Sequence, residues 1–324
     1  MKKTFTFVIA VVFTGLLLPL SSCERETAAD LRPSRQGAAR VGTQSLAEIV
    51  INSPVHTLLE AAVIRAGLAG TLSNPGDFTV FAPTDDAFRA AGFPDEAAIN
   101  NAPIPTLRRI LGYHVIPGNR FFSDIFPEVE VGFNTLISPQ FHVTRRGAGV
   151  TVNGIPVTQA DVLASNGVIH ILNSVLLPPA GNIVEVAAGN PNLTYLVAAV
   201  QRATQGSVDV QRVLGTTPLL TVFAPTNQAF IDAGFPTIDA IRAADPAVLT
   251  RILTYHVLGQ QVYSPNVPNN ADVPTLNGAT LRTTVSGSGV QVRGRGNAMA
   301  SNVVIANVPT LNGVVHVIDR VLLP

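Results

Sequence analysis

The chain of 324 residues has one cysteine, no tryptophan, four tyrosines and two lysines, and only 13% of it is charged. One cysteine excludes a disulfide framework and any multi-cysteine metal site. With no tryptophan and few tyrosines, stacking platforms for bases or sugars are scarce. Twenty-one basic residues against twenty-one acidic ones leave no electrostatic footprint for nucleic acid, so none is expected as a partner. What the chain has in quantity is apolar side chains, at 47%, enough to build substantial cores and too many for a disordered tail. Its length points to about two domains.

Both lysines, Lys2 and Lys3, precede an apolar run from Phe5 to Leu20, which ends in Leu20-Ser21-Ser22-Cys23. A charged start, an apolar middle and small residues at the cut are the layout of a secretory signal, here residues 1–22. At about 16 residues the run is short for a membrane span. Its end resembles the lipobox of bacterial lipoproteins, which implies acylation of Cys23 and attachment to a membrane through lipid. Cleavage after Ser22 leaves nineteen arginines against twenty-one carboxylates. Residues 23–42, polar and arginine-bearing, read as a tether.

The rest of the chain is a duplication. The run Phe78-Thr-Val-Phe-Ala-Pro-Thr-Asp-Asp-Ala-Phe88 returns as Leu220-Thr-Val-Phe-Ala-Pro-Thr-Asn-Gln-Ala-Phe230. Tyr113-His114 returns as Tyr255-His256, and Asn166-Gly-Val-Ile-His-Ile171 as Asn312-Gly-Val-Val-His-Val317. A period near 140 residues suits a whole domain and is too long for a solenoid unit. The copies occupy residues 43–179 and 181–324. Within each, apolar spacing predicts helices first, over 58–66, 85–91 and 106–112 in copy one, with Thr84 or Asp85 as a cap. Strands follow at 78–81, 141–144, 150–152 and 155–157, the last two joined at Asn153-Gly154, and an apolar strand pair closes the copy over 168–177. Copy two replaces the Asn-Gly turn by a glycine-rich loop, Arg293–Asn297. The expected class is α+β, a helical layer on an antiparallel sheet.

Three motifs repeated in the same order make each copy resemble the fasciclin-like domain. The resemblance implies a β-sandwich-like wedge with packed helices, used for adhesion in secreted, membrane-anchored or matrix proteins. It also implies contact roles for Tyr113-His114, for Tyr255-His256, and for Asp161-Val162, which is expected in an exposed connection before the Asn-Gly motif. The second copy has Asn307 and Val308 at that last position, without the carboxylate. His114, His170, His256 and His316 have no carboxylate or thiol beside them at ligand spacing, so they read as structural imidazoles, and no metal or cofactor is expected. Asp85 and Asp86 lose both carboxylates in copy two, which favours capping over acid–base work. The expected protein is non-enzymatic and lipid-anchored at the outer membrane or surface of a bacterial envelope, binding a surface or matrix protein or polysaccharide. The competing expectation is carriage of a hydrophobic small molecule such as a carotenoid.

Overall fold

The computed structural model describes residues 42–121, 123, 130–147, 149–287 and 289–324. Cys23, the signal and nearly all of the tether lie outside the described residues. No helix among the described residues is long and apolar enough to cross a membrane.

Each copy is α+β and built to one plan. In the first, α1 (Leu46–Ile51), α2 (Thr57–Ala66) and α3 (Ala69–Ser73) lead into β1 (Phe78–Pro83). Three more helices follow: α4 (Asp85–Ala90), α5 (Glu96–Asn101) and α6 (Ile104–Tyr113). The strands then run β2 (Val115–Pro117), β3 (Glu130–Asn134), β4 (Gln140–Arg146), β5 (Gly149–Val152), β6 (Ile155–Ala164) and β7 (Gly167–Leu172). The second copy repeats the helices as α7 (Ile183–Ala188), α8 (Thr194–Ala203) and α9 (Val210–Thr216), then β8 (Leu220–Pro225). Next come α10 (Asn227–Asp232), α11 (Ile238–Ala243), α12 (Pro246–Tyr255) and β9 (Val257–Leu258). Its sheet is completed by β10 (Ala271–Pro274), β11 (Thr280–Ser286), β12 (Gly289–Arg293), β13 (Ser301–Thr310) and β14 (Gly313–Ile318).

The seven strands of the first copy lie in the order β2-β1-β7-β6-β5-β4-β3, and the second sheet repeats that order. The edges nearly meet: Leu136 N–H donates to the Val115 carbonyl at 3.0 Å, and Leu276 N–H to that of Val257 at 2.8 Å. The expectation of a purely antiparallel sheet is corrected at one place per domain. β1 runs parallel to β7, and β8 to β14, because almost a whole domain of chain separates each pair and permits the crossover.

Two cores result in each domain. Under the helices, Leu58, Leu59, Ala62, Val63 and Ala66 form the buried stripe of α2 and meet Val80, Phe88 and Leu111. Burial of each large side chain contributes about 1.5–3 kcal/mol. Inside the curled sheet, Phe81, Tyr113, Phe141, Val152 and Leu172 pack together, with Phe141 edge-on to both Phe81 and Tyr113. The predicted strand pair over 168–177 is half right. β7 stops at Leu172, and beyond it Leu176 N–H is taken by a histidine side chain instead of a neighbouring strand.

Candidate functional site

The motif residues prove to be scaffold. His114 lies at the end of α6, where Nε2 accepts from Leu176 N–H at 2.9 Å. Nδ1 must then carry the proton and donate to the Ile110 carbonyl at 2.8 Å. His256 repeats this with Leu322 N–H and the Ile252 carbonyl. Burial pushes both imidazoles down to about 4, so they are neutral pins between helix and closing segment. Tyr113 donates its hydroxyl proton to the Gln140 carbonyl and accepts from Asn153 Nδ2, both at 3.0 Å. Burial raises its pKa to about 12. Tyr255 donates to the Thr280 carbonyl, but its second partner is the backbone N–H of Arg295. The glycine-rich loop of copy two thus supplies from its main chain the donor that Asn153 supplies from a side chain.

Asp161 does not sit in an exposed connection. It lies within β6, half-buried, at a bulge where the register with β7 shifts between Gln159 and Val162. Its φ is 57°, and that of Asn307 in β13 is 61°. Left-handed backbone is tolerated by aspartate and asparagine alike, which accounts for the exchange between copies. Asp161 N–H donates to His170 Nδ1, and Asn307 N–H to His316 Nδ1, both at 3.2 Å. The other ring nitrogens donate to the carbonyls of Arg120 and Val262. Val162 and Val308 are half-buried and pack on the helical cores of their domains.

Asp85 and Asp86 part company. Asp85 is buried and accepts from Thr57 Oγ1 and Leu58 N–H at the start of α2, while Thr84 caps α4. Asp86 is exposed and paired with Arg89. Asn166 binds three backbone groups: it accepts from Leu46 N–H and donates to the Leu72 and Asn74 carbonyls. Among the described residues no group of three or more histidine, cysteine or carboxylate side chains is placed to hold a metal ion.

The surface that sequence reasoning missed is the cleft where the two domains meet. Asn266 donates through Nδ2 to Thr144 Oγ1 at 3.0 Å and to Glu130 Oε2 at 3.2 Å, and its backbone carbonyl accepts from Arg146 at 3.2 Å. Glu130 Oε1 takes His142 Nδ1 at 3.2 Å, and the His142 ring lies 6.0 Å from that of Tyr263. Burial, then the proximity of Tyr113 and Glu130, raises the Tyr263 hydroxyl far above its ordinary range. Beside this clasp opens a cavity of about 290 Å³, with Gln140, His142, Gln261 and Tyr263 in its lining and Pro179, Pro218, Leu219, Pro309 and Leu311 among the apolar residues. Leu219 has φ 58° and is 53% exposed, and Leu311 is 62% exposed. The equivalent positions in copy one are Asp77 and Ser165. A leucine in left-handed backbone costs roughly 1–2 kcal/mol, and an exposed one gains nothing from the core in return. The readable signal was the break in the repeat at these two positions.

Two smaller cavities lie under the helices, of about 220 Å³ in the first domain and 160 Å³ in the second, with His114 and His256 in their apolar walls.

The family model of the fasciclin domain matches residues 54–178 and 191–324. Among curated proteins, the chain is 37% identical over 157 residues to transforming growth factor-beta-induced protein ig-h3 of Sus scrofa, covering 47% of this chain and 22% of that one. It is 34% identical to protein sll1483 of Synechocystis sp. over 186 residues, 55% of this chain and 99% of the relative. With immunogenic protein MPB70 of Mycobacterium bovis it shares 38% over 142 residues, 44% of this chain and 68% of the relative. The chain spans 22% and 35% of the length of the ig-h3 proteins from pig and rabbit. A solved FAS1 domain pair from the insect cell adhesion molecule fasciclin I aligns at TM-score 0.40 and 18% identity, covering 82% of this chain and 96% of that one.

Proposed function

Since the chain belongs to the fasciclin domain family, matched in two copies, we propose that it is a lipid-anchored adhesion protein of a bacterial cell envelope. Acyl chains on Cys23 would hold it, each buried methylene contributing about 0.8 kcal/mol, and the tandem domains would hold a surface or matrix partner. The observation that carries this reading is how the motif side chains are spent. His114, His170, His256 and His316 are each closed by one donor and one acceptor inside the fold. The repeated residues therefore build a platform, and contact falls to turns and to the cleft. Carriage of a carotenoid finds no support in the helix-side cavities: a space of roughly 150 Å³ takes a benzene-sized molecule, and a long polyene is several times larger.

Fractionation tests the anchor. Cys23→Ser should move the protein from the membrane pellet to the soluble fraction, and a variant that still pellets at high salt would overturn the lipid attachment. Beads coated with the protein test adhesion: they should bind cells of the native host, and beads that bind no better than albumin-coated ones would overturn that half of the reading.

A further inference from the structure

We propose that the cleft between the domains is a saccharide site, taking a neutral, hydroxyl-bearing sugar residue between Tyr263, Gln261 and His142 below and the two exposed leucines at its lips. This deepens the adhesive reading by naming the class of partner, and rests on that reading for its setting.

Three observations carry it. The first is charge: no lysine, arginine, aspartate or glutamate lines the cavity. An anionic or cationic ligand would lose hydration there without an opposing charge.

The second is unspent hydrogen bonding. Tyr263 Oη accepts from Gln261 Nε2 at 2.9 Å, and its own proton has no acceptor among the described residues. Gln261 Oε1 likewise has no donor there. The Glu130 carboxylate can only accept, so His142 Nδ1 carries a proton toward it, and His142 Nε2 has no partner among the described residues. The side chains that carry the Tyr263 hydroxyl proton, Gln261 Oε1 and His142 Nε2 thus all line one space of about 290 Å³. Sugar hydroxyls both give and take hydrogen bonds, so adjacent hydroxyls on one ring match such a set.

The third is the lip. Leu219 and Leu311 stand in turns where copy one has Asp77 and Ser165, and they remain half or more exposed. With Pro179 and Pro218 they offer aliphatic surface to the C–H face of a ring. A peptide added as a strand would need an unpaired sheet edge, whereas the near-meeting edges of each sheet are bridged by the Leu136–Val115 and Leu276–Val257 bonds.

The test titrates the full chain, in detergent micelles, with neutral tetrasaccharides of glucose, xylose and N-acetylglucosamine, and reads saturation-transfer NMR and calorimetry. At least one should bind saturably. Tyr263→Phe should weaken it about five-fold, as expected for loss of one hydrogen bond. Leu311→Ser should weaken it by a similar factor with the thermal midpoint unchanged, and Leu219→Asp supplies a second lip variant should Leu311→Ser misfold. Saturable binding by none of the three sugars, binding unmoved by Tyr263→Phe and both lip variants, or tighter binding of a polyanionic glycan would each overturn the proposal. Protein-coated beads offered to cells separate the two readings. Beads that adhere and are displaced by the bound sugar support both. Beads that adhere equally in the Tyr263→Phe and Leu311→Ser forms and ignore the sugar sink the cleft while adhesion stands.

Discussion

The motif histidines make the fold sensitive to acid. His114, His256 and His316 are held neutral with pKa values lowered by burial from about 6.5 to about 4, and His56 and His170 are lowered by the same cause. The unfolded chain takes up these protons near pH 6.5, while the folded chain resists until about pH 4. Stability is therefore complete above pH 6.5 and falls progressively as the pH drops to 4, by on the order of 3 kcal/mol for each of the three deepest imidazoles. Urea midpoints should be level between pH 8 and 7 and then decline steeply. A level profile down to pH 4.5 would show that the imidazoles ionise inside the fold. The glycine of the Asn-Gly motif is equally constrained. A Cβ on Gly313 would strike the Leu220 carbonyl of the parallel partner, so Gly313→Ala should cost about 2 kcal/mol, measured by chemical denaturation.

At the scale of elements, β6 and β13 each depend on a left-handed residue to turn their bulge. Asp161→Asn should leave the thermal midpoint nearly unchanged, since the second domain uses asparagine there. Asp161→Val, β-branched and intolerant of positive φ, should lose about 2 kcal/mol. If both variants melt together, the bulge does not depend on this residue. The strong elements were legible from spacing alone: α2, α4, α6, β1 and the hairpin at Asn153-Gly154 stand where the apolar pattern and turn chemistry put them. The short α1, α3 and α5 were not, because five or six residues hold too little of a period to read; α4, equally short, is marked by its Thr84 cap and by Gly92 and Pro94 beyond its end. Nor was the bulge, since an aspartate in a polar stretch reads as a connection until its strand partners are known. The Tyr-His pairs could be found in the sequence, but their burial under a closing segment sixty residues away could not.

For the whole molecule, the cleft is the part no reading of one copy could foresee, because its walls come from both domains and its lips from positions where the copies disagree. Asn266 is the principal tie across it, reaching Glu130, Thr144 and Arg146. Asn266→Ala removes both side-chain bonds, each contributing about 0.5–1.5 kcal/mol. Scanning calorimetry should then separate the two domains' transitions further than in the parent chain, and an unchanged endotherm would mean that the domains are coupled through other contacts.

The parallel pairing of β8 with β14 also sets a timetable. A strand begun at Leu220 finds its central neighbour only at Gly313, more than ninety residues later in synthesis. Until then its backbone amides are unpaired on that side and its apolar face is open to water. Local helices can form early, but the middle of the sheet must wait for the last strand to leave the ribosome, which makes this a slow, high-contact-order topology. During that interval the Leu220–Pro225 segment is the stretch most in need of a chaperone. A ribosome stalled before residue 313 would hold a first domain whose own closing strand, Gly167–Leu172, has already arrived, tethered to a second that cannot yet close.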